Sequence, residues 1–444
     1  MAIHPIEYRY GRKEVKDIFS EENRLQTMLD VEAALARAHA KVGNIPKKDA
    51  EAISRKASTS HVKISRVNEI EATTNHDVMA VVKALAEQCG ASGGYVHLGA
   101  TSNDITDTAT ALQLRDYISV LSKDLRRLKA SIISQAKKHR KTVCIGRTHG
   151  QHAVPTTYGL KFAIWAAEVQ RHLERLEECR KRILVGKMSG AVGTQAALGK
   201  HAIRIQELVM RDLRLNAPLA SNQVLQRDRL GEFMLLMALI AESLNKFATE
   251  IRNLQRTEIG EVSEGFGRKQ VGSSTMPHKR NPIYAERVCG ISRVIKADAI
   301  AALENIPLWH ERDLTNSSCE RIIVPEACIL LDYILDVSAN LVSNLVFNKA
   351  NIKRNLEMTQ GRMMAESMMV RLVEKGMGRQ QAHELVRECA MESNNKNKPF
   401  MAVLEKNRKI GRLLSAQEIE DALKPEKYVG TAVEQVDAAI RKLK

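Results

Sequence analysis

The chain has 444 residues, an apolar fraction of 44% and a formal net charge of +16, long enough to bury a large core and ordinary in composition for a globular protein. No apolar run reaches membrane-spanning length, and the N-terminal MAIHPIEYRYGRKEVKD has no apolar core of a secretory signal, so neither a membrane partner nor export is expected. Seven cysteines are spread singly with no CxxC pair, which argues against a disulfide framework or a cysteine zinc site and fits a reducing cytoplasm. The positive charge has two readings. Nucleic-acid binding wants a concentrated basic patch with stacking aromatics. Here Lys and Arg are dispersed along helices and aromatics are only 4%. A positive field that draws in a polyanionic small molecule fits better, and no nucleic-acid partner is expected.

Taken in chain order, glycine and proline are sparse and clustered. Neither occurs between Gly99 and Gly146, from Leu160 to Val185, from Glu232 to Ile259, or from Glu326 to Gln360, and Gly290 alone interrupts Ile283 to Ile306. Segments this long, rich in Leu, Ala, Met, Glu, Lys and Arg, predict helix. In the third, Phe233, Met237, Ile240, Leu244, Phe247, Ile251 and Leu254 alternate steps of four and three, the seam of a left-handed helix bundle. This helix would be roughly 40 Å long at ~1.5 Å per residue. From Phe233 to Ala241 it is apolar nearly all round, so burial on several sides is expected. One subunit would struggle to bury several such helices, which predicts a homo-oligomer with a shared helical core. TVCIG (142–146) and RIIVP (321–325) could extend locally, but no sheet pattern emerges. The fold class expected is all-α in three helical domains: 1–102, a central long-helix bundle over 103–350, and 351–444 with shorter helices and breaks at Gly376, Gly378, Pro399 and Pro425.

Polar, non-helical clusters fall at the joints: TTNHDV (73–78), HLGATSND (97–104), GRTHGQHAVPTT (146–157), GSSTMPHKRNP (272–282) and PLWHERDLTNSSCER (307–321). His149 and His152 are three apart. They read as turn histidines, as a metal site lacking a third ligand of fixed spacing, or as a general acid or base in a polar pocket. Thr101 and Ser102 precede a helix opening with Asn103 and Asp104, which reads as a helix cap or as an anion site built from free N–H groups. His76 and Asp77 read as a structural pair or as a carboxylate-oriented imidazole. The run from Gly260 to Pro282 is a mobile loop by composition. A plain tether explains its glycines. It does not explain two adjacent serine hydroxyls followed by His278, Lys279, Arg280 and Asn281 between two prolines. Cations and N–H groups closing over a serine would arm it as a base.

GSSTMPHKRNP resembles the signature loop of the fumarase/aspartase superfamily, whose members eliminate fumarate from a succinyl compound. Within it, EYRYG near the N-terminus, TNHDV, GRTHGQHAVPTT, SNQVLQRDR (221–229), PLWHERDLTNSSCER and GMGRQQAHELVREC (376–389) are similar to the adenylosuccinate lyase family, across nearly the whole chain. Argininosuccinate lyases and carboxymuconate cycloisomerases share the loop. The EYRYG and WHERDLTNSS stretches, with arginines suited to phosphate, argue against them. The resemblance implies a succinyl group joined through nitrogen to a purine or imidazole nucleotide as substrate, with no metal or organic cofactor. It implies Ser273 as base and His149 as acid. It assigns support or orientation to His76, Glu286 and Lys279. Lys279 and Asn281 would also hold a substrate carboxylate, as would Thr101 and Ser102. Arg9, Tyr10, Gln223, Arg287, Arg312, Ser317 and Arg321 would grip the nucleotide, the arginines chiefly its phosphate. Asn75, His76, Asp77 and Ser274 complete the implied binding set. It further implies a homo-oligomer, a tetramer with each site drawing loops from three subunits, in the cytoplasm.

Overall fold

The structure is a computed structural model and describes residues 3–267 and 269–443. Five long helices dominate it: Ser102–Lys138, Tyr158–Ile183, Asp228–Leu254, Ile283–Glu304 and Thr315–Ser343. In chain order, the first four expected segments are therefore helical over most of their length. The fifth is different. Pro325 sits inside the Thr315–Ser343 helix, so RIIVP is helical and not extended. That helix stops at Ser343, a short strand Val346–Phe347 follows, and a separate helix spans Lys349–Glu357. Its cap is Asn348, whose side chain accepts from the Asn351 N–H at 3.1 Å. Asparagine makes such a break without glycine or proline, which is why the sequence from 326 to 360 reads as continuous helix.

The chain forms two compact units. One takes the chain up to Arg126, His172–Leu244 and Gly290–Asp336; the other takes Arg127–Arg171, Asn245–Cys289 and Val337 onward. Each of the five long helices runs through a boundary between these segments. The predicted seam is real: all seven residues from Phe233 to Leu254 at its positions are buried. Leu235 and Leu239, on the other side of that helix, are 46% exposed, so the all-round apolar stretch is only partly covered within one chain.

In the first unit the Tyr117 ring lies 6.0 Å from Phe19 and 6.3 Å from Phe233. Arg12 there donates to Asp332 at 2.8 Å and also bonds Asp124, bringing the N-terminal segment onto two long helices. In the second unit Trp165 stacks on Phe247 at 4.7 Å. A C-terminal core gathers Met368, Leu372, Leu385, Phe400, Leu404 and Ile410, and its helices break near Gly376, Gly378, Pro399 and Pro425 as expected.

Among the described residues the strands form two small antiparallel pairs, beside one isolated parallel bridge between Val185 and Asn216. TVCIG does extend. Val143–Thr148 pairs with Gln151–Thr157 in a hairpin, Val143 opposite Thr157 and Arg147 opposite His152. The register shifts between Ile145 and Arg147, at Gly146, where an added Cβ would meet the Val154 carbonyl oxygen at 2.7 Å. A glycine is thus required at this bulge. Val262–Ser263 pairs with Val346–Phe347.

Candidate active site

The sequence-predicted residues are divided between the two units, and seven of those in the first unit share a cavity. In the first unit a cavity of about 680 Å³ is lined by Asn75, His76, Asp77, Ser102, Arg312, Ser317 and Arg321 from the predicted set. The helix Ile64–Thr74 ends at Asn75 in the left-handed region, φ 51°, a conformation asparagine tolerates. His76 then caps the helix Asp77–Cys89, its Nδ1 accepting from the Met79 N–H at 3.3 Å. That bond makes Nδ1 the acceptor and leaves the proton on Nε2. His76 Nδ1 lies 3.8 Å from the Asp77 carboxylate, beyond hydrogen-bond distance, so the cap takes the place of the pair expected from the sequence.

Asp77 bonds Arg321, and Arg24 lies 3.9 Å from the same carboxylate. Burial pushes the Asp77 carboxyl up, but Arg321, the Val78 N–H and Arg24 outweigh it and hold it below the usual range. Burial, with Arg321 alongside, pulls the Arg24 guanidinium down. Arg312 donates to Gln223 at 3.0 Å while Gln223 donates to the Ala191 carbonyl at 2.9 Å. The Arg312 Nε is buried without a hydrogen-bond partner. Deeper in, Arg227 lies 2.8 Å from Asp107 and 3.0 Å from Glu320. Burial disfavours the Arg227 cation, yet the two carboxylates raise its pKa.

At the start of the Ser102–Lys138 helix, the Thr101 N–H donates to Asp104 at 2.9 Å. The Ser189 and Gly190 N–H groups and Lys187 also bond this carboxylate, which is fully buried. The helix begins at Ser102, one residue before the expected opening. Thr101 thus stands before the helix with its N–H, not its hydroxyl, in the bond to Asp104, while Ser102 lines the cavity. Arg9 and Tyr10 pair with each other, Arg9 Nε to the Tyr10 hydroxyl at 3.0 Å, and are not among the cavity's described lining residues.

The second unit holds the catalytic candidates, His149 and Ser273, on separate segments. His149 and Gly150 form the two-residue turn of the hairpin, φ 53° and 74°. Positive φ at both positions is what a tight two-residue hairpin requires. His149 is exposed at the tip. His152 lies back on the second strand, its pKa lowered by burial and by Arg147.

In the signature loop, Ser273 Oγ accepts from the N–H groups of Thr275 at 3.3 Å and Met276 at 3.1 Å. Asn281 Nδ2 donates to the Gly272 carbonyl at 2.9 Å. A Cβ on Gly272 would sit 1.9 Å from the Lys279 carbonyl oxygen. Gly272 is therefore a close-approach glycine that lets the two legs of the loop meet, and a hinge role is not needed to explain it. Ser274 and Lys279 are exposed. The loop ends where Glu264 accepts from the N–H groups of Tyr284 at 3.2 Å and Ala285 at 2.7 Å, capping the Ile283–Glu304 helix. Glu286 is exposed in its first turn, and Arg287 lies 5.5 Å over the Tyr284 ring.

Sequence reasoning missed several residues that hold these elements. Arg24 reads as one more cation on a solvated helix face, and no local signal marks it. Arg227 and Asp107 lie inside or beside the polar motifs but carry no mark that separates them from their neighbours. Glu261 lies at the start of the run from Gly260 to Pro282, which reads as a mobile loop from composition, yet it is fully buried, and no sequence signal marks it.

Long helices, a hairpin bearing a histidine and a serine loop bounded by GSS and KRNP define the lyase class of the fumarase/aspartase superfamily. A family model described as "Lyase" matches residues 7–296, and one described as "Adenylosuccinate lyase C-terminus" matches 361–439. The adenylosuccinate lyase of Pyrococcus abyssi is 57% identical over 99% of this chain and 98% of its own length. That of Methanocaldococcus jannaschii is 52% identical over 100% and 96%. The solved 3-carboxy-cis,cis-muconate lactonizing enzyme of Pseudomonas putida superposes with a TM-score of 0.90 at 35% identity, over 99% of this chain and 98% of that one. The chain belongs to the adenylosuccinate lyase family of carbon–nitrogen lyases.

Proposed function

We propose that the chain eliminates fumarate from adenylosuccinate, giving AMP, and from succinyl-aminoimidazole-carboxamide ribotide, giving the free aminoimidazole-carboxamide ribotide. The observation that carries this reading is the arginine-rich cavity holding Arg24, Arg312 and Arg321, in a chain so close to adenylosuccinate lyases over nearly its full length. About 680 Å³ suits a nucleotide, and guanidinium forks suit its phosphate.

Ser273 is the base. It removes the proton from the succinyl carbon next to a carboxylate, and the pair left behind spreads into that carboxylate. N–H groups donating to Oγ, as those of Thr275 and Met276 do, favour the serine anion. Lys279 and Asn281, with Thr101 and Ser102, bind the substrate carboxylates. The C–N bond then breaks, the C=C bond of fumarate forms, and His149 protonates the departing nitrogen. His76 and Glu286 support the acid. Arg9, Tyr10, Asn75, Asp77, Gln223, Ser274, Arg287, Arg312, Ser317 and Arg321 hold the rest of the substrate. No step calls for a metal or an organic cofactor.

The active form in this proposal is a homo-oligomer, a tetramer, with each site completed by several copies. The exposed apolar side chains Leu235, Leu239, Ile300, Leu303 and Ile306 support it. The functional division into 1–102, 103–350 and 351–444, and a cytoplasmic setting in keeping with seven free cysteines, belong to the same proposal. Among the described residues, no helix is long and apolar enough to cross a membrane.

The second reading is a lyase of another branch, of the cycloisomerase or argininosuccinate type. The structural likeness to the muconate enzyme favours it. A substrate without phosphate would give Arg24, Arg312 and Arg321 no anionic group to grip, which weighs against it. Ultraviolet absorbance of purified protein with adenylosuccinate decides: formation of AMP and fumarate is expected, and no turnover on it beside turnover on another succinyl or muconate substrate overturns the reading.

A further inference from the structure

Among the described residues of the second unit, the mechanism above leaves two buried carboxylates unused, Glu264, which caps a helix, and Glu261. Glu261 is 0% exposed and stands between the Asp228–Leu254 helix and the Val262–Ser263 strand. Three side chains donate to it. Arg147 Nη2 reaches Oε1 at 2.5 Å, Asn355 Nδ2 reaches Oε1 at 2.8 Å, and the Tyr158 hydroxyl bonds Oε2. Its main chain is held as well, the N–H by the Leu254 carbonyl at 3.0 Å and the carbonyl by the Asn348 N–H at 2.9 Å.

Burying a carboxylate is costly unless cations and donors surround it, and a packed core would be simpler to build with an apolar residue. What this carboxylate joins gives it a use. Arg147 is on the first strand of the hairpin, just before the turn that carries His149, and Tyr158 directly follows the second strand. Both legs of the hairpin are thus tied to one anion. A two-stranded hairpin is marginal alone, and its exposed tip takes its pose from whatever fixes its base. The same carboxylate belongs to the residue that opens the segment leading to Ser273.

We propose that Glu261 is a positioning residue for the elimination: its anion, through Arg147 and Tyr158, fixes the hairpin that presents His149. This rests on the reading of His149 as the acid. Because Glu261 acts through His149, its effect is on turnover and not on nucleotide affinity.

The test is a double-mutant cycle on the full-length oligomer with adenylosuccinate. Glu261→Gln keeps the size and removes the charge. It is expected to lower kcat about 10- to 100-fold with KM changed less than about threefold. Tyr158→Phe, which removes one donor and keeps the ring, is expected to lower kcat severalfold while the fold is retained. In a His149→Ala background neither change should lower kcat further. Equal losses in both backgrounds, or unchanged kcat with only a lower melting temperature, overturn the proposal. Near-full turnover by His149→Ala alone would overturn the reading of His149 itself, a result distinct from either of these.

Discussion

Arg321 donates to the carboxylate of Asp77, and Arg24 lies 3.9 Å from the same oxygen. Arg312 and Arg227 line the same cavity, where the carboxylates of Glu21, Glu71, Asp107 and Glu320 face them. In the proposed function the guanidinium forks of Arg321, Arg24 and Arg312 grip a phosphate dianion beside Asp77. Charge-assisted hydrogen bonds contribute about 1.5–3 kcal/mol, so Arg321→Gln is expected to raise KM for adenylosuccinate about 10- to 100-fold with kcat changed only severalfold. Arg24→Gln should raise it about 10-fold. Steady-state kinetics with AMP as a competitive inhibitor checks both, and a fall in kcat at constant KM would place these arginines outside the phosphate grip.

The acid and base roles predict a different signature. Removing a general acid or base typically costs a factor of about 10²–10⁴. Ser273→Ala and His149→Ala are each expected to lower kcat by about 10³ while AMP binding, measured by calorimetry, stays within a few-fold of the parent. Retention of near-full rate by either variant removes that residue from its role.

Ser273 and His149 stand out in the sequence because a helical chain has no packing use for long, polar, non-helical motifs. The fold is legible for a related reason. Helix-rich segments free of glycine and proline announce themselves, and the seam from Phe233 to Leu254 is an uninterrupted pattern. What stays hidden is instructive. The stop at Ser343 is made by asparagines, which carry weaker signals than glycine or proline. Pro325 lies within a helix whose packing overrides its usual breaking effect. Arg24 and Glu261 matter through partners far away in sequence, Asp77 and Arg321 for one and Arg147, Tyr158 and Asn355 for the other. No local pattern encodes such meetings.

Gly272 separates geometry from mobility. With the Lys279 carbonyl 1.9 Å from where a Cβ would stand, even alanine forces the legs of the signature loop apart and strains the Asn281 to Gly272 bond. The loop is largely exposed and outside the helical core, so global stability has little at stake. Gly272→Ala is expected to lower kcat more than about 10-fold while shifting the melting temperature by only a degree or two. Calorimetric scans beside kinetics check this, and an unchanged kcat would mean the loop tolerates opening at its base.

The second unit also carries an acid-sensitive element. The His139 ring stacks on Phe347 at 3.7 Å, and Thr142 lies 3.2 Å from Nδ1. Burial first, then Lys138 and Lys349, pull its pKa down from 6.5 to about 4. The folded protein therefore holds this imidazole neutral while the unfolded chain protonates it near pH 6.5. Between those two values the unfolded state binds one more proton, so stability falls as pH falls. At about 1.4 kcal/mol per pH unit the loss from pH 7 to pH 5 comes to about 2 kcal/mol. His139→Gln removes the titration. Its melting temperature at pH 7 should lie below the parent's, because the stack on Phe347 is lost. Its further decline between pH 7 and pH 5, measured at one protein concentration so that assembly does not intrude, should be smaller than the parent's. Equal declines in the two proteins would show that His139 is already protonated in the folded state, or that acid sensitivity lies with other groups.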